Sequence, residues 1–296
     1  GSHCCVYAQD RVVLDGFTIK NGAGYHGGAI YLPGGSFTLE NCIITNNSAQ
    51  DNGGGIYVNW GTLNMINCIV TQNSAGHVDW TTDNEGVSVP TYSGCGGGIY
   101  VWTGYLNIVN CTITQNTSYL PGTGVYGRAW GAGSTPMKYT VRNCIVAGNT
   151  GSYSEMILPG SDYDTTITYT CTASAFSGRG NLVAGPQFVD ATNGDFRLRP
   201  GSPCIDAGTT DGAPATDILG VARPQGAGVD MGAYERAKPS YDLDASNDVD
   251  IMDVQLVINA VLGRPTEKEL NPDVNEDGKT DILDVQLVIN AALGIV

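Results

Sequence analysis

Apolar and polar residues alternate in short bursts through the first half of the chain, and the bursts recur. GGAIYLPGGSFTLENC (Gly27 to Cys42), GGGIYVNWGTLNMINC (Gly53 to Cys68) and GGGIYVWTGYLNIVNC (Gly96 to Cys111) align without a gap. Each is followed by a similar tail: IITNNSA, IVTQNSA, TITQNTS. A degenerate copy ends in VRNCIVAGNT (Val141 to Thr150), and LDGFTIKNG (Leu14 to Gly22) is a partial earlier one. Successive aligned cysteines stand 26, 43 and 33 residues apart, which predicts a solenoid with a unit of about 26 residues and insertions. Within a unit the period is two: Leu39, Cys42 and Ile44 in one copy, Met65, Cys68 and Val70 in the next. The Asn before each Cys breaks the alternation. Asn tolerates left-handed backbone, so each break predicts a bend between two strands.

Stacking such coils in parallel predicts a ladder of Asn41, Asn67, Asn110 and Asn143 beside an inward column of Cys42, Cys68, Cys111 and Cys144. Parallel Cβ vectors suit disulfides poorly, so the column is expected as buried free thiols. Cys171 is a candidate to extend it, whereas Cys95 and Cys204 fall outside. Thr45, Thr71 and Thr114 are expected on the outer surface. These repeats resemble the right-handed parallel β-helix proteins of secreted bacteria. GNLVAGPQFVDATNGDFRLRPGSPCIDAG (Gly180 to Gly208) and DILGVARPQGAGVDMGAYE (Asp217 to Glu235) are similar to the C-terminal end of that group. The resemblance implies an all-β parallel solenoid over residues 4–237. It leaves function open, because polysaccharide lyases, glycosidases, adhesins and structural surface proteins share the architecture. Asp217, Arg223, Asp230 and Glu235 are expected to pair at the C-terminal cap.

The pattern changes at Ala237-Lys238-Pro239-Ser240. All nine cysteines precede residue 205, whereas residues 238–296 carry 12 acidic and 4 basic side chains. Two segments there share a loop-then-helix pattern, DLDASNDVDIMDVQLVINAVLG from Asp242 and DVNEDGKTDILDVQLVINAALG from Asp273. Positions 1, 3, 5, 9 and 12 are Asp242, Asp244, Ser246, Asp250 and Asp253 in the first loop. In the second they are Asp273, Asn275, Asp277, Asp281 and Asp284. This is the oxygen-ligand spacing of a calcium loop, with position 7 (Asp248, Lys279) giving a backbone carbonyl. The predicted helices end at glycine, a C-cap signal. The duplicate resembles a type I dockerin, which implies two Ca2+ ions, calcium-dependent folding and a cohesin-like partner. Positions 10 and 11 are Ile251-Met252 and Ile282-Leu283 where that family often has hydroxyl residues, so docking on a neighbouring domain is the alternative.

A net charge of −15 and a pI near 4.3 argue against a nucleic-acid partner. No run approaches the ~18 apolar residues of a membrane span. Weak carboxylate loops suit millimolar calcium, which places the protein outside the cell or on its surface. Chemistry on a β-helix belongs to its long turns. One insertion is Gly76 to Gly94, with His77, Asp79, Trp80, Asp83, Glu85 and Tyr92. Another is expected from Thr117 to about Arg128, with Tyr119, Tyr126 and Arg128, and Trp130 just beyond. Trp60 and Trp102 lie on a neighbouring turn. Aromatic rings among carboxylates suit a sugar. Two functions follow. One is a non-catalytic surface or scaffold protein that binds glycan or self-assembles with another copy of itself through its apolar end coil (Leu14, Phe17, Ile19). The other is a polysaccharide lyase or glycoside hydrolase carried to a cohesin scaffold by its dockerin. Neither a catalytic pair nor a lyase motif stands out in the sequence.

Overall fold

The structure, a computed structural model, describes residues 4–82, 88–128, 137–159, 164–237, 241–244, 246, 248–264 and 271–295. The chain divides into two compact units, the first comprising Gly1–Leu198 and Ser202–Arg236 and the second Arg199–Gly201 and Ala237–Val296.

The first unit is a solenoid of parallel sheets. The first sheet stacks Val6–Tyr7, Ile30–Leu32, Ile56–Val58, Ile99–Val101, Val125–Gly127 and Met156–Ile157. The second stacks Val12–Asp15, Ser36–Glu40, Gly61–Ile66, Gly104–Val109, Lys138–Arg142 and Asp164–Thr168. The third runs from Thr18–Lys20 through Ile69–Thr71 to Leu182–Val183, and a short fourth sheet closes each coil at Ser48–Ala49, Ser74–Ala75 and Thr117–Ser118. The register repeats the sequence alignment: Leu63 pairs with Phe37 and Leu106, and Val70 with Ile44 and Ile113. Period-two alternation therefore sends one stripe inward, where Phe37, Leu39, Leu63, Met65, Ile108 and Tyr139 are buried. Asn41, Asn67, Asn110 and Asn143 hold φ between 48° and 53°, the left-handed bend that joins the second sheet to the third.

Cys42, Cys68, Cys111 and Cys144 form the buried inward column as free thiols. Cys171 does not extend it. It pairs with Ile145, one residue beyond Cys144, and joins a separate apolar cluster with Cys204, Leu198 and Met231.

The sequence reading missed a second asparagine ladder. Asn47, Asn73, Asn116 and Asn149 are buried at the turn from the third sheet to the fourth. Each side-chain amide donates to the next coil's side-chain oxygen at 2.9 Å, and the last donates to Glu155 at 3.0 Å. Each of the first three amides also caps one carbonyl of the preceding coil and one of its own, as Asn116 does with Val70 and Thr114. An amide both donates and accepts, so it repeats without charge and leaves no buried polar group unpaired.

The asparagine ladder at the other bend is interrupted. Asn67 reaches Asn41 and Asn143 reaches Asn110, but between Asn67 and Asn110 the C-terminal segment of the unit intervenes. Asn67 donates to Thr216 O, Asn110 to Asp230 O, and Arg223 reaches the Asn67 side-chain oxygen. Residues 205–236 thus form a strap along the flank rather than a cap over the end, correcting the expectation for Asp217, Arg223, Asp230 and Glu235. The Arg223–Glu235 pair, 2.8 Å apart, is 1% exposed on both sides. Burial raises Asp230 to about 6. The strap also covers the threonine row: Thr71 and Thr114 are buried, Thr112 accepts from Ala233 N, and Ala233 packs on Ile69.

The second unit contains two helices, α1 (Ile251–Val261) and α2 (Ile282–Ala292). Val254, Val257 and Ile258 on α1, and Val285, Val288 and Ile289 on α2, make one apolar stripe each and share a core with Val274 and Leu243. Gly263 and Gly294, with φ of 64° and 69°, end the helices as the glycine signal predicts.

Candidate functional sites

Each loop of the second unit folds around its twelfth residue. Asp253 is fully buried. Its Oδ1 accepts from Leu243 N at 2.6 Å and Asp244 N at 3.2 Å, and its Oδ2 from Asp250 N at 2.9 Å. Asp284 repeats this with Asn275 N and Asp281 N. The ninth residues, Asp250 and Asp281, are the N-caps, and with Asp253 and Asp284 they close a capping box on each helix. One residue type thus orients the loop and starts the helix. Carboxylate oxygens of Asp242, Asp244 and Asp253 lie within 4.8 Å of one another. Oxygens held ~2.4 Å from one calcium ion are at most ~5 Å apart, so the three fit a single ion. In the first loop Ser246 N donates to Asp242 and Asp244; in the second Asp277 N donates to Asp273 and Asn275. The Asp248 carbonyl accepts from Ser246 Oγ, and Lys279 N bonds Asp277. Gly278 takes φ 88° at the sharp turn. Ile251, Met252, Ile282 and Leu283 are all more than half exposed, one apolar pair at the head of each helix.

In the first unit, Val78–Thr82 pairs antiparallel with Ser88–Tyr92. Trp80, 69% exposed, stands on this strand pair, and Tyr92 meets Tyr119 with ring centroids 6.0 Å apart. His77 ties the strand pair to the coil: Nδ1 lies 2.5 Å from Gln50 O and 2.9 Å from Ser93 Oγ, and Nε2 lies 2.7 Å from Asp79. A carbonyl and a carboxylate only accept, so both ring nitrogens carry protons. The Gln50 carbonyl, and then Asp79, raise the His77 pKa above its ordinary 6.5. Serine, histidine and aspartate stand in a row here, with Ser93 Oγ donating to Gln50 O at 3.2 Å. The row is a clamp. Asp83, Glu85 and Trp130 lie outside the described residues.

The segment from Thr117 to Arg128 is not an insertion. Thr117 pairs with Ser74, and Val125 and Tyr126 pair with Ile99 and Tyr100, as in any other coil. Tyr126 belongs instead to a stack that the GGxIY motif encodes. Tyr7, Tyr31, Tyr57, Tyr100 and Tyr126 follow one another with centroids 5.2–5.6 Å apart. The rings face each other along the solenoid, so their faces are consumed: Tyr57 and Tyr100 are nearly buried, and burial raises Tyr57 to about 12. His26 stacks on Tyr57 at 4.6 Å with Asp51 at 3.5 Å; burial, opposed by Asp51, lowers its pKa and favours the neutral ring. Arg128 lies 3.8 Å over the ring of Trp102. Neither this stack nor Trp102 leaves a broad free face for a sugar.

Trp60 does. It is half exposed and immediately precedes the second-sheet strand Gly61–Ile66. With Thr62, Tyr105 and Met137 it walls a cavity of about 130 Å3 whose floor is Gly61 and Gly104. Gly104 adopts φ 135°, and a Cβ there would collide with the Gly61 carbonyl, so the floor is bare backbone. No helix among the described residues is long and apolar enough to cross a membrane.

Comparison with protein families gives two matches. The right-handed β-helix region matches residues 2–167, and the dockerin type I domain matches residues 240–293. Comparison with curated proteins and with solved structures gives no match.

Proposed function

The chain belongs to the right-handed β-helix family and ends in a type I dockerin, and from that premise we propose that it is a glycan-binding protein displayed outside the cell on a cohesin-bearing scaffold. Dockerins are calcium-binding modules with cohesin partners. We assign one ion to each loop, the first held by Asp242, Asp244, Ser246, the Asp248 carbonyl, Asp250 and Asp253. The second is held by Asp273, Asn275, Asp277, the Lys279 carbonyl, Asp281 and Asp284. The ions neutralise acids that otherwise repel each other across less than 5 Å.

What carries the glycan reading is the Trp60–Tyr105 cavity. A pyranose presents an apolar face to aromatic rings and hydroxyls to polar rims. Here the two rings rise over a glycine floor, with Thr62 and Thr103 as the polar rim. Retention of the full chain on a panel of plant and bacterial polysaccharides tests the site. Trp60→Ala and Tyr105→Ala should each weaken retention about tenfold, the worth of ~1.5 kcal/mol of aromatic contact, without moving the unfolding midpoint. Equal retention by parent and variants on a glycan that binds removes the site. Release of unsaturated uronate or new reducing ends would replace binding with the enzyme alternative.

A further inference from the structure

We propose that Cys171 and Cys204 form a disulfide that locks the strap to the solenoid. Among the cysteines of the column, the partners are stacked in register on parallel strands. Their side chains point the same way, so closing an S–S bond between neighbours would require the backbone to move. Cys171 and Cys204 are placed differently. Cys171 sits in the third sheet, in the strand Cys171–Thr172, while Cys204 lies in the turn that follows Ser202. They therefore approach from separate segments of chain rather than along one ladder. Both are fully buried in one cluster with Leu198 and Met231, and the two thiols are within hydrogen-bonding reach of each other. The backbone around them is fixed: Ser202 Oγ caps Cys204 N, Met231 N bonds Cys204 O, and Cys171 N bonds Cys144 O. The contact with Cys204 also lowers the pKa of the Cys171 thiol.

The chemistry is thiol–disulfide exchange with a low-molecular-weight disulfide. Cys171 thiolate attacks that disulfide and releases one of its halves as a thiol. Cys204 thiolate then attacks the mixed disulfide at the Cys171 sulfur and releases the second half. The protein loses two electrons and two protons, and the small disulfide is reduced to two thiols. The bond closes a loop that joins the solenoid to the start of the strap, at the point where Cys204 O holds Met231 and, next to it, Asp206 N holds Asp230.

The full chain, refolded with a glutathione redox buffer, is alkylated, digested and mapped by mass spectrometry. The expected product is a Cys171–Cys204 cross-linked peptide, with two fewer alkylated thiols than the nine cysteines of the chain. A reductant should then lower the ratio of folded to unfolded first unit about five-hundredfold, as loop closure of this length implies. Cys204→Ala should abolish that response while its stability in reductant stays near that of the reduced parent. Nine free thiols after oxidation, or cross-links confined to Cys42, Cys68, Cys111 and Cys144, overturn the proposal. Because the mapping uses the unaltered chain, it stands even if the variant fails to fold.

Discussion

The asparagine ladder of the first unit and the aspartate loops of the second solve one problem in opposite ways. Both stack short polar side chains at tight turns, and both use them to capture backbone N–H groups. In the ladder the side chain is an amide. Asn73 accepts from Asn47 and donates to Asn116, so each rung satisfies the next and the series closes on Glu155. In the loops the side chain is a carboxylate, which only accepts. Asp242, Asp244 and Asp253 therefore converge with lone pairs facing lone pairs, an arrangement that the proposed cation completes. One oxygen atom exchanged for an NH2 group separates a self-sufficient structure from a metal-dependent one.

The largest effect should come from taking the cation away. Chelation is expected to melt α1 and α2, because Asp250, Asp253, Asp281 and Asp284 cap the helices and are the ligands we propose. The first unit should keep its strand signal. Circular dichroism of the whole chain with and without chelator checks both, and unchanged helicity would refute the ligand assignment. Asp253→Ala and Asp284→Ala should each remove one of two binding steps in calorimetry.

A second experiment writes the chemistry of the loop into the ladder. Asn116 is fully buried and donates to the oxygens of Val70, Thr114 and Asn149. Asn116→Asp places a charge against three acceptors and is expected to cost about 3–5 kcal/mol of stability at neutral pH. The variant carboxyl then has a raised pKa in the folded state. Its penalty is present above that pKa and fades as pH falls and the acid regains a proton to donate. Denaturant titrations at pH 7 and pH 4.5 measure this, and equal losses at both values would mean the cost is steric.

The smallest effect should be local. His77 has a raised pKa, so its hold on the strand pair is complete below 6.5 and is lost as pH rises through the shifted value. Amide exchange at Ser93 N, which bonds His77 O, should quicken across that rise, and His77→Ala should exchange quickly at every pH. Rates independent of pH would show that Ser93 Oγ alone anchors the strand pair.

The solenoid and the calcium loops were legible because both are periodic. Repetition of Gly-Gly-x-Ile-Tyr and Asn-Cys at fixed offsets fixes register, and oxygen-bearing side chains at 1, 3, 5, 9 and 12 mark the paired loops. The same evidence held the second ladder and the tyrosine stack. Asn47, Asn73 and Asn116 share one offset in the tails, and Tyr31, Tyr57 and Tyr100 share one in the motif. Reading them required asking which polar positions recur, as well as which apolar ones. Thr117 to Arg128 misled because chain length was counted from the cysteines, although the extra residues fall after Gly127, beyond the last paired strand residue. The strap was illegible for a different reason. Its partners lie far away in sequence, Asn67 to Thr216 being 149 residues apart, and no local pattern encodes such a contact.

That strap alters what kind of object the solenoid is. A stack of coils held only by nearest neighbours is open-ended: copies can be duplicated or deleted, and the stack grows or shrinks. Here Asn143 binds Thr209 while Asn67 binds Thr216 and Arg223, so one stretch of chain touches coils two steps apart. It acts as a ruler. With ~4.8 Å per coil, an added copy between Asn67 and Asn143 would pull the two anchor points apart by more than a residue's reach. Copy number in this part of the protein is thereby frozen, and divergence is left to the turns.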